Sequence, residues 1–128
     1  MEILSSRTLL RSPDPDRLTE FYRDRIGLAV AREYPGGVVF HAGTALIEVP
    51  AHLTADDGAG GGPDALLWLQ VRDVDSVAET LRSRDVTVVR EPRTEPWGLR
   101  EMHVADPDGR TLIFVEIPAD HPLRRDTR

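Results

Sequence analysis

The sequence predicts an α+β fold in which two βαβββ modules form a cupped mixed β-sheet with helices on the outside. Two observations lead there. The stretches at about 3–50 and 65–117 each read strand, helix, then three strands, with little identity between the copies. A Gly-rich linker at 51–64, containing DDGAGGG, cannot form the interior of an element and separates them. At 128 residues the chain is one domain, 1–128, long enough to bury about two-thirds of its unfolded surface. Its polar, Pro-broken tail, 118–128, is expected to fray.

In the first module Ile3 to Leu10 reads as a strand with Arg7, Leu9 and Arg11 on one face. Ser12-Pro13-Asp14-Pro15 breaks it, and Asp14 is a good N-cap with Pro15 at the first helical position. Leu18, Phe21, Tyr22 and Ile26 then follow at helical spacing, so Asp14 to Arg25 is expected to be an amphipathic helix ended by Gly27. Three strand candidates come next: Leu28 to Tyr34, Val38 to His41, and Thr44 to Val49.

The second module restarts the pattern. Ala65 to Arg72 is a strand, Asp73 or Asp75 caps a helix carrying Val74, Val77, Ala78 and Leu81, and Val86 to Arg90 is the next strand. The last pair, Leu99 to Val104 and Thr111 to Val115, flanks Asp106-Pro107-Asp108-Gly109. There Pro107 presets its own φ, Asp106 can accept a backbone hydrogen bond, and Gly109 can take a positive φ. The mixed composition of Leu99 to Val104 predicts one wet face, and the apolar run Thr111 to Val115 a strand buried on both. At the corner before them, Glu95-Pro96-Trp97-Gly98, the tryptophan either plugs the core or offers a stacking platform.

Composition excludes several classes. Without cysteine there is no disulfide framework, thiolate nucleophile or Cys-type zinc site. No apolar run approaches the roughly 18 residues of a membrane span, and no secretory signal is visible, so a cytoplasmic location is expected. Acidic residues exceed basic ones by 22 to 16, a formal charge of −6, which argues against nucleic acid as a partner and weakly favours a cationic ligand.

Asp14, Phe21-Tyr22-Arg23-Asp24, Ile26-Gly27-Leu28, Gly43 to Glu48 and Asp106-Pro107-Asp108-Gly109 stand in an order that resembles the vicinal oxygen chelate superfamily. That superfamily includes glyoxalase I, extradiol dioxygenases, fosfomycin-resistance enzymes and bleomycin-resistance proteins. The resemblance covers about Leu4 to Ile117. Leu67 to Arg72, Gly37-Val38-Val39 and Glu95 to Gly98 bring it nearest to the bleomycin-resistance branch, whose members sequester a cationic drug in an acidic, aromatic groove of a dimer. The enzymes of the superfamily hold a divalent metal with one ligand from each of strands one, four, five and eight. Carried over, those positions are Arg7, Glu48, Leu66 and Ile113. Only Glu48 is a metal ligand; Leu66 and Ile113 offer no lone pair and Arg7 is a permanent cation. One carboxylate does not hold a catalytic divalent ion. The resemblance therefore implies no metal and no cofactor.

Two functions from different classes follow. The first is a metal-independent binding protein of the bleomycin-resistance type: a homodimer that sequesters an aromatic or cationic, bleomycin-like antibiotic or metabolite, and so serves antibiotic resistance. Its ligand would be met by Arg7, Phe40, Glu48, Trp68, Gln70 and Trp97. Arg7 and Glu48 are expected to pair across the cup in place of the metal. Strand alternation from Leu66 puts Trp68 and Gln70 on the cup face. Phe40 and Tyr34 are candidates to widen the apolar lining, with core packing the preferred role for Phe40. The second is an enzyme of the same fold, a lyase or oxidoreductase, with a relocated metal or an acid–base site drawn from Glu48, His41, or His103 with Glu101. The metal positions favour the binder over the enzyme.

Overall fold

The computed structural model describes residues 1–51 and 65–123. The linker expected at 51–64 lies, beyond Ala51, outside the described residues, as does the tail after Leu123. The chain divides into two compact units, each carrying a four-stranded mixed sheet.

The first unit contains β1 (Thr8–Leu9), α1 (Pro15–Glu20) continued by a π-helical segment (Phe21–Ile26), β2 (Val30–Tyr34), β3 (Gly37–Ala42) and β4 (Ala45–Pro50). Its strand order is β1-β4-β3-β2, with β1 parallel to β4 and the other pairs antiparallel. The expected start of the helix is realised: Arg17 N–H donates to Asp14 Oδ1 at 3.1 Å, with Pro15 first in the helix. Gly27 closes it at φ 85°. The winding is not α throughout, as the spacing suggests it should be. The N–H groups of Gly27 and Leu28 both donate to the Tyr22 carbonyl, which widens the last turn. That wider turn keeps two consecutive aromatic residues buried, with the Phe21 and Tyr22 rings edge-to-face at 5.2 Å. β1 is also shorter than Ile3 to Leu10. Only Thr8 and Leu9 pair with β4, and Ile3 and Leu4 are 72% and 86% exposed.

The second unit contains β5 (Leu67–Val71), α2 (Val74–Ser83), β6 (Val88–Thr94), β7 (Arg100–Ala105) and β8 (Thr111–Glu116). Its order, β5-β8-β7-β6, repeats that of the first unit strand for strand, as the internal repeat requires. Asp73 caps α2, accepting from Ser76 N–H at 3.1 Å and from Ser76 Oγ at 2.8 Å. Val74, Ala78 and Leu81 are its buried stripe. β6 runs to Thr94, beyond the expected Arg90, with register shifts between Val88 and Arg90 and between Arg90 and Arg93. Pro92, which has no N–H to donate, is tolerated because β6 is an edge strand. The turn between β7 and β8 has its expected chemistry: Arg110 N–H donates to Asp106 Oδ1 at 3.0 Å, and Gly109 adopts φ 83°.

Two further expectations differ from the structure. β7 lacks the wet face its composition suggested, because Glu101 is 7% exposed beside the fully buried Met102. The segment after β8 is not loose up to Leu123. His121 N–H donates to the Pro118 carbonyl at 2.9 Å, its ring Nε2 lies 3.3 Å from the Trp97 carbonyl, and its Nδ1 accepts from Leu123 N–H. His121, in the tail expected to fray, thus meets the Trp97 corner.

Candidate functional site

Each sheet gathers its chemistry on one face. In the first, Val39 and Glu48 are register partners and share a face, whereas Phe40 and Ile47 occupy the other. Phe40 accordingly lies in the core, fully buried, its ring 6.5 Å from that of Tyr22. The expectation that it lines a ligand site is corrected by this alternation.

Arg7 and Glu48 do form the expected ion pair, with Nη1 to Oε1 at 2.8 Å. They do so within one sheet, not across a cup, because β1 lies directly beside β4. Glu48 is buried, and its Oε2 accepts from the Tyr34 hydroxyl at 2.5 Å. The bond to this carboxylate, then burial, then the carboxylate's charge raise the Tyr34 pKa above the ordinary phenol value. The Arg32 guanidinium lies 5.1 Å over the Tyr34 ring. The turn allows this closeness only with glycine: a Cβ on Gly37 would stand 2.6 Å from the Val49 carbonyl and 3.0 Å from the Tyr34 hydroxyl. Tyr34 is thus the third member of the Arg7–Glu48 network.

In the second sheet the register sets out two cross-strand rows on one face. The first is Trp68–Ile113–His103–Arg90, and the second Gln70–Val115–Glu101–Arg93. Trp68 is 52% exposed and Trp97 58%, so neither plugs the core. The Trp97 indole N–H donates to Glu101 Oε2 at 2.8 Å, which fixes the ring beside the second row. Glu95, 3% exposed, is paired with Arg90 and, at 3.1 Å, with Arg93. The Arg93 hydrogen bond outweighs burial and holds its carboxyl below the ordinary value, with help from the Arg90 charge. Burial lowers the His103 pKa, and Arg90 adds to that, while Glu101 and Glu95 oppose it. Sequence reasoning named His103 and Glu101 but missed Arg90, Arg93 and Glu95. The signal was the charge density of Arg90-Glu91-Pro92-Arg93-Thr94-Glu95 on an edge strand.

The lowered His103 pKa ties stability to pH. The unfolded chain, with the ordinary value of 6.5, binds this proton more readily than the folded one. The contribution to stability is therefore complete above about pH 6.5 and falls as pH drops through the folded midpoint. Urea midpoints should decline from pH 7 to pH 5, and His103→Gln should flatten that decline. An unchanged slope in the variant would assign the acid sensitivity elsewhere.

The inherited metal positions can now be compared. Leu9 pairs with Glu48 and Trp68 with Ile113, so Arg7 and Leu66, each two residues earlier, are equivalent by the repeat. Leu66 is 65% exposed and Ile113 half-buried. A guanidinium and two aliphatic side chains do not fit a divalent ion, and the one carboxylate is bonded through both oxygens. Among the described residues, Asp73, Asp75 and Glu116 bring oxygens within 4.8 Å of one another. Asp73 caps α2, Asp75 grips Arg100 at 2.8 and 2.9 Å, and Glu116 accepts from Val74 N–H at 2.9 Å. These bonds account for the cluster structurally. His41 stands apart, exposed on β3.

The strand order repeated in the two units defines a protein of the two-module α+β class. A family model for the Glyoxalase/Bleomycin resistance protein/Dioxygenase superfamily matches residues 5–114, and the chain belongs to that superfamily. Among solved structures, a member of this superfamily from Sphaerobacter thermophilus DSM 20745 is similar at 23% identity, with 91% of this chain and 98% of that one covered and a TM-score of 0.73. TioX from Micromonospora sp. ML1 is similar at 22% identity over 88% and 95% of the two chains, with a TM-score of 0.70. A lactoylglutathione lyase from Agrobacterium tumefaciens is similar at 20% identity over 91% and 96%, with a TM-score of 0.67. At these identities the likeness is one of fold. The search of curated proteins returned no match.

Proposed function

We propose that this chain is a metal-independent small-molecule-binding protein of the bleomycin-resistance type, which sequesters an aromatic or cationic compound as a homodimer. The observation that carries the reading is the Arg7–Glu48–Tyr34 network, which stands where the superfamily's enzymes place half of their metal ligands. Two half-exposed tryptophans, Trp68 and Trp97, supply stacking surface. An apolar N-terminal stretch ahead of a two-residue edge strand is the kind of edge that a second copy covers.

The test is metal analysis and sizing of purified protein, with a thermal-shift screen of glycopeptide and aromatic antibiotics. A dimer without stoichiometric metal is expected, with a melting temperature indifferent to chelators and raised by a binding drug through mass action. Trp68→Ala should weaken that drug roughly tenfold, about 1.4 kcal/mol. One equivalent of a divalent ion bound through Glu48, or a strict monomer at high concentration, would overturn the reading.

One observation favours the alternative, an acid–base enzyme of the same fold. Burial and Arg90 keep His103 neutral near pH 7, the state a general base requires, with Glu101 on the same strand face. Metal-free turnover of a carbonyl substrate that His103→Gln abolishes would establish it.

A further inference from the structure

Deepening that binding reading, we propose that the row Trp68–Ile113–His103–Arg90 recognises a hydrogen-bond-accepting group, a carbonyl or carboxylate, carried by a planar aromatic ligand. His103 and Arg90 would donate to the acceptor while the ring lies over Ile113 toward Trp68. Neighbouring strands are about 4.8 Å apart, so the row from Trp68 to Arg90 spans three strand spacings, enough for a fused aromatic ring system with one polar end.

The choice of an acceptor follows from which groups are already used. The two buried carboxylates on this face have donors: Glu95 takes Arg90 and Arg93, and Glu101 takes the Trp97 indole. Arg90 Nε, by contrast, is a buried donor without a partner among the described residues. A buried donor left unmade costs stability, and a turn of the Arg90 side chain, itself 29% exposed, would bring it to a ligand oxygen. The strand register places His103 directly beside Arg90. A ligand cation placed here would meet Arg90 and Arg93, which already act unfavourably on a charged His103; Glu101 and Glu95 act in the opposite sense. The formal charge of −6 repels anions in general, so any preference for an anion must come from this face itself. The row narrows the ligand from aromatic or cationic to aromatic with an acceptor.

Three probes share one ring and differ in the polar group: 2-naphthoate, 2-naphthamide and 2-naphthylmethylammonium. Their affinities for the full chain are read by tryptophan quenching, and the His103 ring nitrogens by nuclear magnetic resonance. Naphthoate and naphthamide should both bind more tightly than the ammonium, naphthoate by roughly tenfold or more, and naphthoate should raise the His103 titration midpoint. His103→Gln should weaken naphthoate several-fold while leaving the ammonium unchanged, and Arg90→Lys should do the same if it folds. Ammonium binding equal to or tighter than naphthoate would overturn the acceptor assignment while leaving the aromatic platform standing. So would naphthoate binding that neither moves the His103 signals nor responds to His103→Gln. Failure of all three to bind at millimolar concentration would overturn the row and the Trp68–Trp97 platform together.

Discussion

Asp106→Ala is expected to lower the melting temperature by roughly 10 °C, the largest loss from any single side chain outside the apolar core. Asp106 opens the turn between β7 and β8. Its side chain is completely buried, and that of Arg110 is 5% exposed. One carboxylate oxygen accepts from Arg110 N–H at 3.0 Å and the other from Arg110 Nη1 at 2.6 Å, while Asp106 N–H donates back to the Arg110 carbonyl at 2.9 Å. Removing the carboxylate takes its bonded counter-charge from a buried guanidinium, for which about 3–5 kcal/mol is the usual cost. Asp106→Asn keeps an acceptor for the backbone and should lose less. Replacing both partners by apolar residues of similar volume should recover much of the loss, because the desolvation penalty disappears with the charges. A melting temperature within about 3 °C of the parent for Asp106→Ala, under 1 kcal/mol at this size, would show that the Asp106–Arg110 contact adds little to what otherwise holds Arg110.

This turn also shows why much of the fold was legible in the sequence. Asp-Pro-Asp-Gly carries local instructions: a preset φ, a short side-chain acceptor and a residue free to take positive φ. The helix caps Asp14 and Asp73 are of the same kind, and both make the bonds their positions foretold. The length of β1 was not legible, because an apolar stretch such as Ile3-Leu4 reads as a strand whether or not a neighbour is present to pair with it. The π-helical turn was hidden for a related reason. Phe21 and Tyr22 at adjacent positions fit one helical stripe only approximately, and it is their common burial that selects the wider winding.

The site divides along the same line. Strand alternation placed Trp68 and Gln70 on one face, and both are exposed there. The family resemblance paired Arg7 with Glu48 across the cup, whereas they meet where β1 lies beside β4. The strand order decides that, and strand order is not local. Arg90, and the bond that ties Tyr34 to Glu48, were hidden more deeply. Each acts through a residue far along the chain or past a bulge, Tyr34 through Glu48 and Arg90 through Glu95 and His103. A register shift on β6 changes which side chains share a face, and no periodicity in Val88 to Thr94 announces it.

Glu48→Gln separates the two roles that a buried carboxylate can have in a binding protein. If Glu48 serves only to neutralise Arg7 and receive the Tyr34 hydroxyl, the amide weakens two charge-assisted bonds and stability falls by about 1–3 kcal/mol. Ligand affinity would then be unchanged once the loss of folded protein is allowed for. If Glu48 also attracts a cationic ligand, affinity falls as well and its dependence on salt flattens, because the screened attraction has been removed. Spectroscopy gives an independent check. The carboxylate is the main cause of the raised Tyr34 pKa, so in Glu48→Gln the phenol should ionise nearer the ordinary value of 10.0 in an ultraviolet titration. Tyr34→Phe should remove that transition and reproduce part of the stability loss without altering charge. Arg7, whose side chain is 36% exposed, can turn to water when its partner is neutralised, so Arg7→Met with Glu48→Gln should be little worse than Glu48→Gln alone. A Tyr34 titration unmoved by Glu48→Gln would mean that the 2.5 Å contact does not persist in solution, and the Arg7–Glu48–Tyr34 network would no longer carry the binding reading.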